Sequence, residues 1–418
     1  MTAAAWPQGY AQPDRTPLAQ VLKVFDNLTN VTFANSGTAA VTTVDGDSPF
    51  DAPRLRVDAP VGNTYVEVQL HTGVSVPAVP DGQTAYFRLW LSDWEQVSQV
   101  VVFAGNSGYV RYLQNAWTVQ NNNLNQRGKL LTIPLNSHDT TLNTFTWGSD
   151  AFENLKIRVF TRAGFAARFW VDSFGIAAYS RPKVLITFDD ASNTWITRAQ
   201  AELDSRGMKA TFGVGTGPVN TNGSLYVTDT ELRSLQSAGH QVCVHNVTNT
   251  AYSPATLNSY VSEYRTAKAQ LQAWGITGPF DYHPFVQGLH DELILNALAE
   301  EGVRVFRGVD VRVSSACRLT YPSCGGSYDY KVLKVGIHGP ALSLANANAN
   351  LTALLKYGGT YTAMFHDISA GAPVGVEWQL SDFQSWLNTL ARYRDAGLVD
   401  VMKATDWYRG LTQPALVV

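Results

Sequence analysis

The sequence predicts a multidomain chain: an all-β sandwich or jelly roll over residues 1–178, then an α/β unit of the (β/α) barrel kind over residues 179–418. Three observations carry this. At 418 residues the chain is too long for one ordinary core. Hydrophobic residues follow a two-residue period up to about Ile176 and then switch to short apolar runs alternating with helical periods. The switch falls on the junction Ala178–Pro182.

In the first region, apolar and polar residues alternate in Tyr65–Leu70, Tyr86–Leu91, Leu155–Phe160 and Ala167–Val171. Val100–Phe103 is a continuous β-branched run that reads as a buried strand. Turn clusters at Ala104–Gly108 and Asn121–Asn123 separate such runs, and almost no helical period intervenes. Trp90, Trp94, Tyr112 and Trp117 are either core and strand-pairing residues or platforms for the apolar faces of sugar rings.

In the second region, strand-like runs are Val184–Phe188, Ala210–Val214, Gln241–His245, Val303–Phe306, Leu333–Ile337, Tyr361–Phe365 and Leu398–Met402. Helical periods lie between them at Thr197–Arg206, Thr228–Ala238, Thr256–Trp274, Glu292–Glu301 and Ser381–Ala396. Strand–helix alternation makes a parallel sheet or barrel, and in a barrel chemistry gathers at the C-terminal ends of the strands. The run Ala345–Asn350 reads as a low-complexity surface linker.

Composition removes several function classes. Lys plus Arg number 31 against 34 Asp plus Glu, for a net charge of -3 with no basic block, so nucleic acid is not an expected partner. No apolar run approaches membrane-span length, and the first residues show no secretory signal. Of the three cysteines, Cys317 and Cys324 bracket a short loop that a disulfide could close. Sparse charge, with plentiful Asn, Thr and Gly, suits an extracellular protein, either secreted or part of a virion tail.

The strongest local signal is Thr187–Asp190, two adjacent acids closing an apolar strand. Side chains alternate along a strand, so neighbouring acids can take different tasks, one binding a cation and the other moving a proton. His245 and His366 also close strand-like runs, which places imidazoles and carboxylates on one rim. A helix cap or a solvated loop is the alternative reading of the acids taken alone.

These residues resemble the polysaccharide deacetylases of carbohydrate esterase family four. Thr-Phe-Asp-Asp stands intact at Thr187–Asp190, Arg206–Phe212 resembles the helix and second strand that follow it, and Ala238–Asn249 resembles the second motif. The resemblance spans Lys183 to Trp407 and implies a distorted (β/α) barrel. It implies Asp189 as general base, His366 as general acid, and Asp190, His245 and Asn249 around a divalent metal, zinc first, with manganese, cobalt or nickel as alternatives. It further implies Met364 as a lining of the acetyl pocket and the backbone N–H of Phe285 as an oxyanion donor.

The sequence departs from the family twice. Asn249 stands where a second histidine ligand is expected, and an amide oxygen is the weaker donor for zinc. Tyr282, with His283 beside it, stands where the family has an arginine that steadies the catalytic acid; Arg307 or His283 are the candidates to replace it, and Tyr282, His283 and Arg307 are expected with Met364 on the substrate side of the site. His240 is expected on the opposite rim in a structural hydrogen bond, and Asp310 is a further candidate acid. The resulting expectation is a metal-dependent hydrolase of N- or O-acetyl groups on a bacterial surface or extracellular polysaccharide, and a homotrimer if it is a phage tail component. Two rivals stand beside it. One is an inactive glycan-binding adhesin on the same fold, the other a glycoside hydrolase using paired acids.

Overall fold

The computed structural model describes residues 20–412 except 27, 29–30, 38–39, 50–51, 77–82, 93–95, 119–129, 136–140, 144, 147–148, 179–180, 310–330 and 334. Trp94, Asp310, Cys317 and Cys324 lie outside the described residues, as does the side chain of Trp117. The chain divides into two compact units at residues 179/180.

The strands of the first unit are β1 (Gln20–Val24), β2 (Val31–Asn35), β3 (Val41–Asp45), β4 (Arg54–Ala59), β5 (Tyr65–Val76) and β6 (Gln83–Leu91). They continue with β7 (Val97–Gly105), β8 (Tyr112–Thr118), β9 (Leu130–Leu135), β10 (Thr141–Asn143), β11 (Phe152–Thr161) and β12 (Ala167–Ala178). All pair antiparallel, in two six-stranded sheets. One runs β3-β4-β12-β6-β9 with β1 also on β12, and the other runs β10-β8-β7-β11-β5-β2. The two-residue period is visible in burial. Leu155, Ile157 and Val159 of β11 are buried, whereas Lys156, Arg158 and Phe160 between them are only half-buried. Phe174 of the first sheet packs on Phe87 within it and edge-on against Phe152 of the second, with centroids 5.5 Å apart.

The second unit holds β13 (Lys183–Asp189), β14 (Thr211–Val214), β15 (Gln241–Val244), β16 (Tyr282–Pro284), β17 (Val305–Arg307) and β18 (Lys331–Leu333). It continues with β19 (Gly336–Ile337), β20 (Thr360–Phe365), β21 (Asp367–Ser369), β22 (Glu377–Gln379) and β23 (Asp400–Met402). Its helices are α1 (Ala201–Ser205), α2 (Asp229–Ser237), α3 (Leu257–Ala273), α4 (Glu292–Glu300), α5 (Leu344–Tyr357), α6 (Leu380–Asp395) and α7 (Ala404–Thr412). Capping sets several helix starts. Thr228 and Glu231 form a reciprocal capping box on α2, and the Asp291 carboxylate accepts from the N–H groups of Leu293 and Ile294 on α4.

Pairing is parallel, in the order β15-β14-β13-β20-β19, with a separate parallel trio β16-β17-β18. One edge of β13 is shared: its first half pairs with β23 and its last residues with β14. A barrel so divided, with its hydrogen bonding interrupted beside β16 and β19, is distorted, and its strands still end at one rim. Within it Phe188 stacks on Phe212 and Phe365, with Trp195, Phe383 and Trp386 around them, and this aromatic packing fixes the ends of β13, β14 and β20. Among the described residues no helix is long and apolar enough to cross a membrane.

The sequence Ala345–Asn350 is not a linker. It forms the first turns of α5, with Ala347, Asn350, Leu351 and Leu354 buried at helical spacing. Alanine's helix propensity offsets asparagine's, and tertiary burial of one face then decides the matter.

Buried histidines make the second unit acid-sensitive, and His338 is one of them. His338 is fully buried among Phe365, Trp378 and Trp386, with Nε2 2.7 Å from the Tyr361 hydroxyl. Desolvation drives its pKa down to about 3. Because the folded value lies below the unfolded one, the unfolded chain binds the extra proton. Stability is therefore full above pH ~6.5 and falls by up to about 1.4 kcal/mol per pH unit as pH drops toward 3. Urea unfolding of wild type and His338→Gln between pH 7 and 4.5 is expected to give a slope shallower by about one proton in the variant. Equal slopes would assign the acid sensitivity elsewhere.

Candidate active site

Asp189 is the last residue of β13 and is buried. Its Oδ2 accepts from Nη2 of Arg307, the last residue of β17 and itself fully buried. The guanidinium is framed on its other sides. Nε donates to the Tyr282 hydroxyl at 3.2 Å and Nη1 lies against Met364 Sδ. Of the two residues proposed to replace the family's arginine, Arg307 is the one that reaches Asp189. His283 turns away, with Nδ1 3.0 Å from the Val244 carbonyl and Nε2 3.1 Å from the Tyr260 hydroxyl. Burial drives the His283 pKa down to about 3, so its ring is neutral.

The other oxygen of Asp189, Oδ1, is buried and has no hydrogen-bond partner. The site leaves no slack there: a Cβ on Gly213 would stand 2.7 Å from Pro284 Cγ and 3.2 Å from Asp189 Oδ1. Glycine at that point of β14 is what allows β13 and β16 to bring their ends together.

Asp190 turns out of the strand in a left-handed conformation, φ 79°, which side chains other than glycine adopt at a cost of about 1–3 kcal/mol. The turn places its carboxylate between two imidazoles, with Oδ1 3.4 Å from His245 Nε2 and Oδ2 3.8 Å from His366 Nε2. Burial works to raise its pKa, but the hydrogen bond and charge of His245, aided by His366 and Arg307, outweigh it and hold the carboxyl below its usual range. On His245, burial opposes the charge, yet Asp189 and Asp190 prevail and raise the pKa.

His245 is held through its other nitrogen. Nδ1 donates to the Pro284 carbonyl at 2.8 Å, which fixes the tautomer and points the Nε2 lone pair of the neutral ring at Asp190. A lone pair facing a carboxylate is unfavourable unless a cation lies between them or the ring is protonated. The next residue, Asn246, is fully buried, left-handed at φ 75°, and neither end of its amide has a partner.

His366 follows β20. Its carbonyl accepts from Trp195 Nε1 at 3.0 Å, and Nδ1 is buried without a partner. Asp367 beside it accepts from Ser192 and Thr194, which laces the segment after β13 to the segment after β20. Neither Trp195 nor this Ser-Thr-Asp lacing was visible in the sequence, because the partners stand 171 to 175 residues apart.

Three sequence expectations are corrected by this geometry. The Phe285 N–H donates to the Arg307 carbonyl at 2.9 Å as part of the β16–β17 pairing, so it is not free to hold an oxyanion, and the ring stacks on Phe306 and His290. Met364 and Tyr282 are both about 1% exposed and contact Arg307 instead of lining an open pocket. His283 and Arg307 are likewise internal supports and offer no surface to a substrate. Asn249 lies four residues after His245 in an exposed stretch. By contrast His240 is placed as expected, its Nδ1 accepting from the Ala210 N–H at 3.1 Å on the far side of β15 from the site.

A divalent cation is the group the family resemblance implies, and the donor set fits one in part. Asp190 and His245 converge with the imidazole in the ligating tautomer, and Asp189 Oδ1 lies buried and unpaired beside them. Among the described residues no three His, Cys, Asp or Glu side chains gather to hold an ion by themselves, so an ion held there would need amide, water or substrate oxygens as further donors.

Comparison with known proteins bears on the same region. Residues 177–306 match the family model described as polysaccharide deacetylase, a stretch containing Asp189, Asp190, His245 and Asn249 but ending one residue before Arg307. Among solved structures the chain is similar to a family 4 acetyl xylan esterase from Clostridium thermocellum in complex with a cobalt ion. Identity there is 18%, with 56% of this chain and 93% of that one covered and a TM-score of 0.39. A family 4 carbohydrate esterase from Streptomyces lividans in complex with acetate matches at 14% identity, over 53% and 91% of the two chains, TM-score 0.35. The Xyl-CE4 domain of a multidomain xylanase from the hindgut metagenome of Trinervitermes trinervoides matches at 12% identity, over 55% and 91%, TM-score 0.39. No curated protein matches the chain. The acids, histidines and arginine thus gather at the strand ends of a distorted parallel barrel whose first part is the stretch that matches the polysaccharide deacetylase model.

Proposed function

We propose that the second unit is a metal-dependent deacetylase that hydrolyses N- or O-linked acetyl groups on a bacterial surface or extracellular polysaccharide. The observation that carries this reading is the division of labour between adjacent acids: Asp189 is tied to Arg307, while Asp190 faces His245 and His366. Asp190 and His245 are the residues that would hold a divalent cation, which when bound would supply Lewis acidity to activate water and polarise the acetyl carbonyl.

The chain's own residues supply the proton transfers. Arg307 orients Asp189 so that one oxygen is occupied and the other, Oδ1, is left to take a proton from the attacking water. His366, partly exposed beside Asp190, gives a proton to the departing amine or alcohol as the C–N or C–O bond breaks, releasing acetate. Tyr282 and Met364 keep the guanidinium in place and water away from it.

Acetate release is the test. Acetylated xylan, chitooligosaccharides and acetylated cell-wall glycans are expected to yield acetate, with activity lost to a chelator and restored by zinc or cobalt. Activity that survives exhaustive chelation contradicts the metal assignment, and no acetate from any acetylated glycan with metal supplied contradicts the reaction.

One observation favours a second reading. Asn249 is exposed where a histidine ligand was expected, which suits a glycan-binding adhesin on the same fold. That reading requires unchanged glycan binding and no bound metal in both wild type and His245→Ala.

A further inference from the structure

The outer face of the β10-β8-β7-β11-β5-β2 sheet in the first unit carries a cavity of about 360 Å³, in the size range of small-ligand sites. Register explains what lines it. Phe103 stands opposite Lys156 on one side and Gln114 on the other, and Gln99 stands opposite Phe160. The inward residues of these strands build the core, so the outward ones are gathered on this face by the pleat alone.

Two cations on this face share one carboxylate. Arg158 Nη2 lies 2.5 Å from Glu67 Oε2, and Lys156 Nζ is 3.8 Å from the same oxygen. The Lys156 ammonium sits over the rings of Phe103 and Tyr109, 4.4 and 4.6 Å from their centroids, and the Arg158 guanidinium lies 4.7 Å over Tyr65. Against these two cations stands the one buried carboxylate of Glu67, which leaves one positive charge in excess. Burial holds the Lys156 pKa below its ordinary value against the pull of Glu67.

A second observation points the same way. Tyr109 lines the cavity in a left-handed conformation, φ 54°, and its hydroxyl is buried with no hydrogen-bond partner. A surplus ammonium and an unpaired phenol are both donors seeking an acceptor oxygen. The amides of Gln99 and Gln114 can bond hydroxyls in either direction, and Tyr112 and Phe160 supply apolar ring surface.

We propose that this cavity binds a carboxylate-bearing sugar unit of an acidic polysaccharide, the carboxylate on Lys156 and the Tyr109 hydroxyl and the ring against Tyr112. The choice of a sugar as the carrier of the carboxylate rests on the polysaccharide reading of the second unit; the demand for an anion rests on the first unit alone. Of the aromatic residues singled out in the sequence, Tyr112 belongs to this face. Trp90 belongs to the other sheet, opposite Trp170.

Calorimetric titration of the full chain with hexamers of galacturonate, mannuronate and hyaluronan tests the proposal, with methyl-esterified galacturonate hexamer as an uncharged match. At least one acidic hexamer is expected to bind, and esterification is expected to weaken galacturonate binding tenfold or more if galacturonate is that ligand. Lys156→Gln should produce a similar loss, and Tyr109→Phe and Tyr112→Ala smaller ones. All three variants should release acetate from a small acetyl ester at the wild-type rate, and Asp189→Asn should bind the hexamer as wild type does. Failure of every acidic hexamer to bind, or binding indifferent to both Lys156→Gln and Tyr109→Phe, overturns the proposal. Those outcomes leave the deacetylase reading standing, because acetate release is measured separately.

Discussion

Asp189→Asn is expected to lower kcat/KM for acetate release by about 10²–10⁴-fold, the usual contribution of a positioned general base. The substitution is nearly isosteric and leaves Asp190 and His245 in place, so metal content should not change. The variant also leaves Arg307 facing a neutral amide in a fully buried position, and a measurable loss of stability should accompany the loss of activity. Near-wild-type turnover in a folded Asp189→Asn would remove the acid from the mechanism and return attention to Asp190.

Arg307→Met carries the second large effect. Methionine approximates the volume of the guanidinium's stem but leaves the Asp189 carboxylate buried without its partner, and removing one half of a buried pair costs about 3–5 kcal/mol. The double variant Asp189→Asn/Arg307→Met removes the stranded charge and should recover most of that loss. Urea unfolding of the wild type, both single variants and the double variant measures the coupling directly. Additive losses would mean the pair is not the electrostatic unit that its geometry suggests. Activity should fall in Arg307→Met even where the fold survives, since nothing else among the described residues orients Asp189.

These two residues also show where sequence reading reaches and where it stops. Asp189, Asp190, His245 and His366 were legible because Asp189 ends a short apolar strand and the others directly follow one, and parallel strands in a barrel deliver their ends to one rim. Arg307 was only one of two candidates, since its partner lies 118 residues away and nothing local states which strand end faces which. Phe285 was assigned an oxyanion role that its N–H cannot fill, because the pairing of the three-residue strands β16 and β17 was too short to register in the pattern. The helix over Ala345–Asn350 was missed for the opposite reason: composition suggested a linker, and burial of one face decided otherwise.

In the first unit, alternation identified strands and their inward residues, but not the outward ones that are themselves half covered. Phe103 is outward on β7 and only 8% exposed, because Lys156 and the surrounding aromatic rings close over it. Such a face is formed by register between strands β7, β8, β11 and β5, and the register of β11 on β7 and β5, which are distant in sequence, is set by the core, not by any local motif.

The central claim is that Asp190 and His245 hold a divalent cation beside Asp189. Anomalous diffraction at the zinc edge, from crystals grown with excess zinc and compared with crystals grown in chelator, tests it most directly. The account predicts a peak within bonding distance of the Asp190 carboxylate and His245 Nε2 in the first map and none in the second. A zinc-saturated crystal with no peak there, and His245 Nε2 paired directly with Asp190, would contradict it.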